Sequence, residues 1–581
     1  MVKTPAKNKK YTQRRRVKVR AEQGYVKRQQ QDSCAHLRMR AMLTLFVLCL
    51  GFSSIGLQLG HVALAPAQEP RASIRDLPPV PTKRGDIYDA HGQLLATTLE
   101  VPSVYADPKR VLDAEETAEK LAGILPQVNQ KRLSKILGNN KRRFAWVQRQ
   151  ITPEQAFQIN TLGLPGISFR YEQVRVYPQR RLAAHVLGGI NVDGRGLAGV
   201  ESSFDEKLMK GKDVHLTLDS RLQEQLRESL AEAYEESSAK GAWGIVLDAR
   251  TGDIRAMASL PDYDPNHYGN ASNAEKFNPM TFGRYEMGST FKLFTLAQGL
   301  AEGVVTPESE VDCRKPLKIG KYTIRDYHAK KRVLTATEVL RYSSNIGAAQ
   351  IADAFGGDQQ RAFFSQLGLL EPLDVGLPEM IAPSYPANWG RVHTITMSFG
   401  HGIAVTPLQL AAAVATVSTD GHYRRPRLIA DWSHDKPRPV LGANTVAQVK
   451  ELMRDVVING SGRKAQVAGL DIGGKTGTAE KVSRKGGYSE SKNLVSFVGA
   501  VPLDKPELVT LIMVDEPKKG YETGGRIAGP AFQSFVRRSM PLLAMAPQPQ
   551  QAVQVARKQG GIKKQGERIY ASIQPIGTTT R

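Results

Sequence analysis

Residues 41–60 read AMLTLFVLCLGFSSIGLQLG, an uncharged and mostly apolar run of about the 20 residues that a helix needs to cross a bilayer. A chain that carries such a run must divide into parts on opposite sides of a membrane, and this constrains the fold more than any other stretch. Residues 1–40 hold 13 Lys and Arg against Glu22 and Asp32. A basic flank of this kind keeps its end in the cytoplasm, so everything after residue 60 is expected to be exported. A cleaved signal peptide ending at Ala63-Leu64-Ala65 is the alternative. The basic and apolar stretches are both too long for one, and Pro66 follows the would-be cut. The arm also holds nearly half of the formal net charge of +24. Only Tyr11 and Tyr25 interrupt its charge, too few for an aromatic-interleaved binding surface, so no nucleic acid is expected as a partner, and the arm reads as a disordered segment beside anionic lipid.

The three cysteines agree with this layout. Cys34 lies in the arm and Cys49 in the span, which leaves Cys313 alone on the exported side, without a partner for an intramolecular disulfide. The outer domains must therefore be held by their own cores, and 581 residues suffice for several. The histidines show no metal-ligand spacing, and neither a metal nor a cofactor is expected. The organisation read from composition and patterning is a basic arm (1–40), a transmembrane helix (41–60), a linker and first exported domain (61–213), a second exported domain (214–545) and a disordered tail (546–581). Within the first exported domain, two short strands are expected around the His91-Gly92 turn, and residues 107–164 have a charged helical pattern. In the next domain, 242–248 and 253–258 flank a turn at Ala249-Arg250-Thr251-Gly252. Helical patterning follows to about residue 458, and strands return at 469–475, 494–500 and 508–514. Strands, then helices, then strands predict an α+β domain built on one antiparallel sheet flanked by helices.

The chemistry converges on Ser289 in Tyr285-Glu286-Met287-Gly288-Ser289-Thr290-Phe291-Lys292. The apolar residues that follow recur at helical spacing, which puts Ser289 in the first turn of a buried helix, where free backbone N–H groups favour an anion. Lys292 lies one turn on, on the same face, and a desolvated lysine can take the serine's proton. Ser-x-x-Lys alone decides little, since it recurs at Ser237/Lys240, Ser433/Lys436, Ser461/Lys464 and Ser489/Lys492. The order Ser-x-x-Lys, Ser-x-Asn, Lys-Thr-Gly is more demanding. Lys475-Thr476-Gly477 is the single Lys-Thr-Gly, and Ser343-Ser344-Asn345 the one Ser-x-Asn before it. Ser237 and Ser289 remain, and Ser237 falls at a charged helix end.

In this arrangement Lys475 would lower the proton affinity of Lys292 and steady an oxyanion. Thr476 and Thr478 would offer hydroxyls to a substrate carboxylate, and Gly477 would admit the substrate to the backbone. Ser343 would relay a proton and Asn345 donate to a substrate amide. Two nucleotide-binding patterns are set aside. Gly194 to Gly199 spells Gly-x-Gly-x-x-Gly but follows turn formers and opens a weak helix, so it reads as a hinge. The phosphate-loop letters at residues 469–476 run into a poor helix, and suit an edge strand lining a cleft better.

With these motifs in this order, the chain resembles the penicilloyl-serine transferase (β-lactamase-like) superfamily. The wider context is similar to class B penicillin-binding proteins. It comprises Arg84-Gly85-x-Ile87-x-Asp89, Tyr177-Pro178, Ala184-His185, Gly194 through Glu201, and Ser398-Phe399-Gly400-His401-Gly402 through Thr406-Pro407-Leu408. The Ser289 segment, with Asp326-Tyr327-His328, resembles the cell-division (FtsI) type, although Ala329 stands where that type often has glycine. The resemblance implies an elongated pedestal below a D,D-transpeptidase domain. That domain would cross-link peptidoglycan stem peptides through an acyl-serine at Ser289, with the Ser289 and Thr478 N–H groups as oxyanion hole and β-lactams as inhibitors. It also implies an FtsW-type glycosyltransferase and other divisome membrane proteins as partners, and a single-pass place in the bacterial inner membrane at the division septum, with the catalytic domain periplasmic. The alternatives are an elongation-type class B transpeptidase, a carboxypeptidase or β-lactamase with water as acceptor, and a catalytically silent β-lactam-binding division scaffold.

Overall fold

The computed structural model describes residues 39, 42–60, 83–320, 322–482, 488–519 and 523–543. The arm apart from Met39, the linker at 65–81 and the tail lie outside the described residues. The chain forms two units, up to Pro81 and from Thr82 onward. In the first, Met42–Gly60 is a 19-residue helix of mean hydropathy 1.9, the one helix among the described residues long and apolar enough to cross a membrane. At 1.5 Å per residue it spans about 30 Å, the thickness of a hydrocarbon core.

The second unit begins with the strand Ile87–Tyr88, which turns through His91-Gly92 into the long strand Leu94–Ala106. Asp89 shapes that turn by accepting from the His91 and Gln93 amides. Ile167–Val176 runs antiparallel along Thr97–Ala106 of that strand, and Ala145–Gln148 pairs with its far end. This last strand breaks the helical pattern read over 107–164. The three helices Ala114–Ile124, Gln130–Leu137 and Pro153–Thr161 are present, but Ala145-Trp146-Val147-Gln148 is recruited by a partner about 40 residues away in sequence, which no local period reveals. Thr152 opens the third helix by accepting from the Gln155 amide, with Pro153 at the first helical position. Leu121, Leu133, Leu137 and Ile159 cover one face of the sheet through Val104 and Ala106.

Val214–His215, where the second domain was expected to begin, pairs in parallel with Ile87–Tyr88. The helix Ser220–Glu236 follows, capped by Asp219 and held by Asp89, which accepts from both the amide and the hydroxyl of Ser220. The main sheet has five antiparallel strands in the order 473–482, 488–501, 508–515, 241–248, 254–260. One face packs Leu222, Leu226, Phe532 and Phe535 from the helices Ser220–Glu236 and Ala528–Ser539. The other buries Lys292–Ala301, Pro407–Ser418 and Ala443–Asn459. The strand expected at 469–475 starts at Gly473 instead. Gly469 has φ near 79° and turns the chain, so residues 469–472 are approach and not strand. That strand is an edge of the sheet, as the cleft argument requires.

Candidate active site

Gly288–Phe291 forms a single 3-10 turn that feeds the helix Lys292–Ala301. The expectation was an ordinary first α-turn. The tighter 3-10 turn eclipses residues three apart, and so stacks Lys292 directly on Ser289. Lys292 Nζ stands 2.8 Å from Ser289 Oγ, 2.8 Å from the Ser343 carbonyl oxygen and 3.1 Å from Ser343 Oγ. Lys475 Nζ stands 3.1 Å from the same Ser343 Oγ and donates to the Thr476 carbonyl at 2.9 Å. The structure therefore joins Ser289, Lys292, Ser343 and Lys475 in one chain of hydrogen bonds.

Both lysines are fully buried. Burial, then the neighbouring charge of Lys475, holds Lys292 well below its usual range, against a smaller opposing pull from Asp326. Burial alone lowers Lys475 to about 7. A neutral Lys292 has two N–H bonds and one lone pair. The N–H bonds are matched by the two Ser343 oxygens, which turns the lone pair to the half-buried Ser289 hydroxyl. That is the geometry of a general base.

Ser343 has φ near 58°, an uncommon backbone for serine, just before the helix Asn345–Phe355. Ser344 caps that helix by accepting from the Gly347 amide, and Asp326 holds the cap by accepting from Ser344 Oγ at 2.7 Å and from the Ile346 amide at 2.9 Å. Asn345 Nδ2 donates one bond to the Arg325 carbonyl at 2.9 Å, leaving a second N–H and the side-chain oxygen. Thr476 and Gly477 are buried on the edge strand, and Thr478 is exposed. A Cβ at Gly477 would lie 2.3 Å from Ser496 Oγ and 3.0 Å from Thr290 Cγ2, so this glycine lets the strand close on the Ser289 turn.

Several supports escape the sequence. Ser461, met only as a chance Ser-x-x-Lys, places its Oγ 2.6 Å from Thr476 Oγ1. The 398–406 segment, noticed only by resemblance, cradles the Ser289 turn: the Ser398 carbonyl accepts from Thr295, the Gly402 amide donates to Glu286, and Tyr285 exchanges backbone bonds with Val405. Gly400 has φ near 81°, and a Cβ there would lie 2.3 Å from the Gly288 carbonyl oxygen. Gly400→Ala is therefore expected to push the Ser289 turn out of register. Loss of penicillin acylation by roughly 100-fold, with a lower thermal midpoint, is the expected outcome from strain and misplacement together, and unchanged acylation kinetics would refute it.

Comparison with known proteins identifies the family. The family described as penicillin binding protein transpeptidase domain matches residues 243–537, and the penicillin-binding protein dimerisation domain matches residues 79–245. The probable peptidoglycan D,D-transpeptidase FtsI of Caulobacter vibrioides is 40% identical over 484 residues, covering 80% of this chain and 82% of that protein. Peptidoglycan D,D-transpeptidase FtsI of Escherichia coli K12 is 32% identical over 494 residues, covering 79% and 83%. The crystal structure of penicillin binding protein 3 from Mycobacterium tuberculosis, complexed with aztreonam, superposes with a TM-score of 0.64 at 26% identity, covering 81% of this chain and 98% of that one. The chain belongs to the penicillin-binding protein transpeptidases, with FtsI-type enzymes among its relatives.

Proposed function

We propose that this protein is the septal peptidoglycan D,D-transpeptidase of a dividing bacterium and works through an acyl-enzyme on Ser289. The observation that carries the reading is the buried Lys292 amine, 2.8 Å from Ser289 Oγ, with its two N–H bonds already engaged by Ser343. Ser289 Oγ attacks the carbonyl carbon of the penultimate D-alanine of a stem peptide, and its proton passes to Lys292 Nζ. The oxyanion is held by the Ser289 and Thr478 backbone N–H groups and by the charge of Lys475. Ser343 carries the proton on to the nitrogen of the last D-alanine, which leaves as the C–N bond breaks. The amine of a neighbouring stem then loses its proton along the same path, attacks the ester and forms the cross-link, and Ser289 recovers its hydroxyl. Thr476 and Thr478 receive the donor's terminal carboxylate, Gly477 lets the donor lie along the edge strand, and the free N–H of Asn345 meets a stem amide.

A β-lactam would enter the same sequence, but its leaving nitrogen stays tethered after the ring opens, so the ester persists. The basic arm ahead of the Met42–Gly60 helix supports a cytoplasmic N-terminus and a periplasmic catalytic domain. The FtsI-type relatives support a role in division, and an FtsW-type glycosyltransferase and other divisome membrane proteins are the partners that this reading proposes.

Intact mass after exposure to a penicillin, followed over hours and mapped to peptides, tests the reading. A single persistent adduct on the Ser289 peptide is the expected result. An adduct lost within seconds, with hydrolysed drug, would point to a β-lactamase. Folded protein that takes no adduct would point to a silent scaffold.

A further inference from the structure

Residues 314–332 carry eight Lys and Arg against a single acid, Asp326, and Asp326 is already engaged by Ser344 and Ile346. Within this stretch Leu317–Ile319 and Tyr322–Ile324 form an antiparallel hairpin. Its apolar side (Leu317, Ile319, Ile324) packs on Ala349, Ile395 and Phe399, beside the segment that cradles the nucleophile turn. Its charged side faces water. Arg314 is paired with Asp312 and Arg332 with Glu338. The exposed Lys315, Lys318, Arg325, Lys330 and Lys331 form no ion pair among the described residues.

Two contacts tie this stretch to the rim of the catalytic cleft. The Arg325 carbonyl accepts from Asn345 Nδ2. Lys330 Nζ lies 4.5 Å from the ring centre of Tyr342, the residue before the relay serine. Exposed like charges held close together repel one another over roughly the 8–10 Å of the screening length, and fixing them on a hairpin is unfavourable without an anion to share them. The patch is built from side chains on a short hairpin and a loop, the adjoining helix N-terminus at Ile346 is already taken by Asp326, and the patch borders the site where the stem must lie.

We infer that this basic hairpin is an anion subsite that holds the internal carboxylates of the peptidoglycan stem while its reacting end lies at Ser289. The inference rests on the transpeptidase reading and adds to it a source of substrate affinity outside the three catalytic motifs. Field focusing by such a patch raises the rate of encounter with an oppositely charged ligand and leaves the bond-making step unchanged. Its signature is therefore in KM and not in kcat.

The test uses the full-length protein in detergent and a Lys315→Gln/Lys318→Gln/Lys331→Gln variant. Both are assayed with a synthetic stem peptide whose internal carboxylates are free, and with one whose internal carboxylates are carboxamides. At about 50 mM salt the variant's KM for the free-carboxylate stem is expected to rise on the order of tenfold, with kcat within about twofold. The difference should shrink at about 500 mM salt, be absent with the carboxamide stem, and be restored by the corresponding Lys→Arg triple variant. Penicillin acylation of Ser289 should match wild type, which reports the catalytic reading separately. A KM that does not move, or that moves equally for both stems, overturns the proposal and leaves the patch to an acidic segment of a protein partner.

Discussion

Lys292→Met is expected to take up penicillin roughly 10^2- to 10^4-fold more slowly than wild type, the range lost with a positioned general base, while Ser289→Ala forms no adduct. The side chain is fully buried and of similar length, so the change removes the amine without opening a cavity. It strands the Ser343 carbonyl, a cost of about 1–3 kcal/mol to folding, which a thermal midpoint measures separately from chemistry. Wild type should show a two-sided pH profile in the second-order acylation constant. Lys292 accepts a proton only when neutral, so the rate climbs as pH rises through its lowered value. Lys475 attracts a carboxylate only when charged, so the rate falls as pH rises through about 7. In Lys475→Arg the falling limb should vanish from the accessible range, because a guanidinium keeps its proton. A Lys292→Met protein that acylates at the wild-type rate, or a flat wild-type profile, would remove Lys292 from the mechanism.

Much of this constellation is legible in the chain because acyl transfer by this route demands fixed side chains in a fixed order, and order survives any folding of the intervening residues. Ser289 and Lys292 are also locally placed, three residues apart on one turn. What the sequence conceals are the residues that act through tertiary contact. Ser461 has no local mark that sends it to Thr476, and its own Ser-x-x-Lys match points the wrong way. Asp326 is 18 residues from the Ser344 hydroxyl it orients. The strand Ala145–Gln148 hides for the same reason: its four residues are extended because Val104, Tyr105 and Ala106 lie beside them. By contrast the all-buried strand Leu508–Asp515 declares itself by an apolar run flanked by turn formers.

Glu201→Ala is expected to cost about 3–5 kcal/mol, the loss typical of removing one partner from a buried ion cluster. That is a large share of the roughly 5–15 kcal/mol that holds a typical domain folded. Glu201 is wholly buried and accepts from Arg84 Nε at 2.7 Å and from Arg175 Nε at 2.7 Å, with the Tyr177 hydroxyl at 3.3 Å. Arg84 also donates to the Glu201 and Gly194 carbonyls and to Asp205, and Arg175 to the Gly85 carbonyl. One carboxylate thus ties together the start of the second unit, the long Ile167–Val176 strand and the 194–205 segment. This is why the Gly194–Gly199 letters imitate a nucleotide loop without being one. The glycines let backbones cross, since a Cβ at Gly196 would lie 2.0 Å from the Glu201 carbonyl oxygen and one at Gly199 2.6 Å from that of Val186. The alanine variant leaves two guanidinium groups buried with less than one full negative charge between them, shared through Asp205. Glu201→Gln keeps the volume and one acceptor, and should lose roughly half as much. The cluster makes no contact with Lys292 or Ser343, so at low temperature the folded fraction of either variant should acylate at the wild-type rate. A thermal midpoint unmoved in Glu201→Ala would show the cluster to be dispensable. A loss of acylation in folded protein would instead make this junction part of the catalytic machinery, because the Gly199 amide that the cluster positions donates to Glu379 at 3.1 Å, within the catalytic half of the chain.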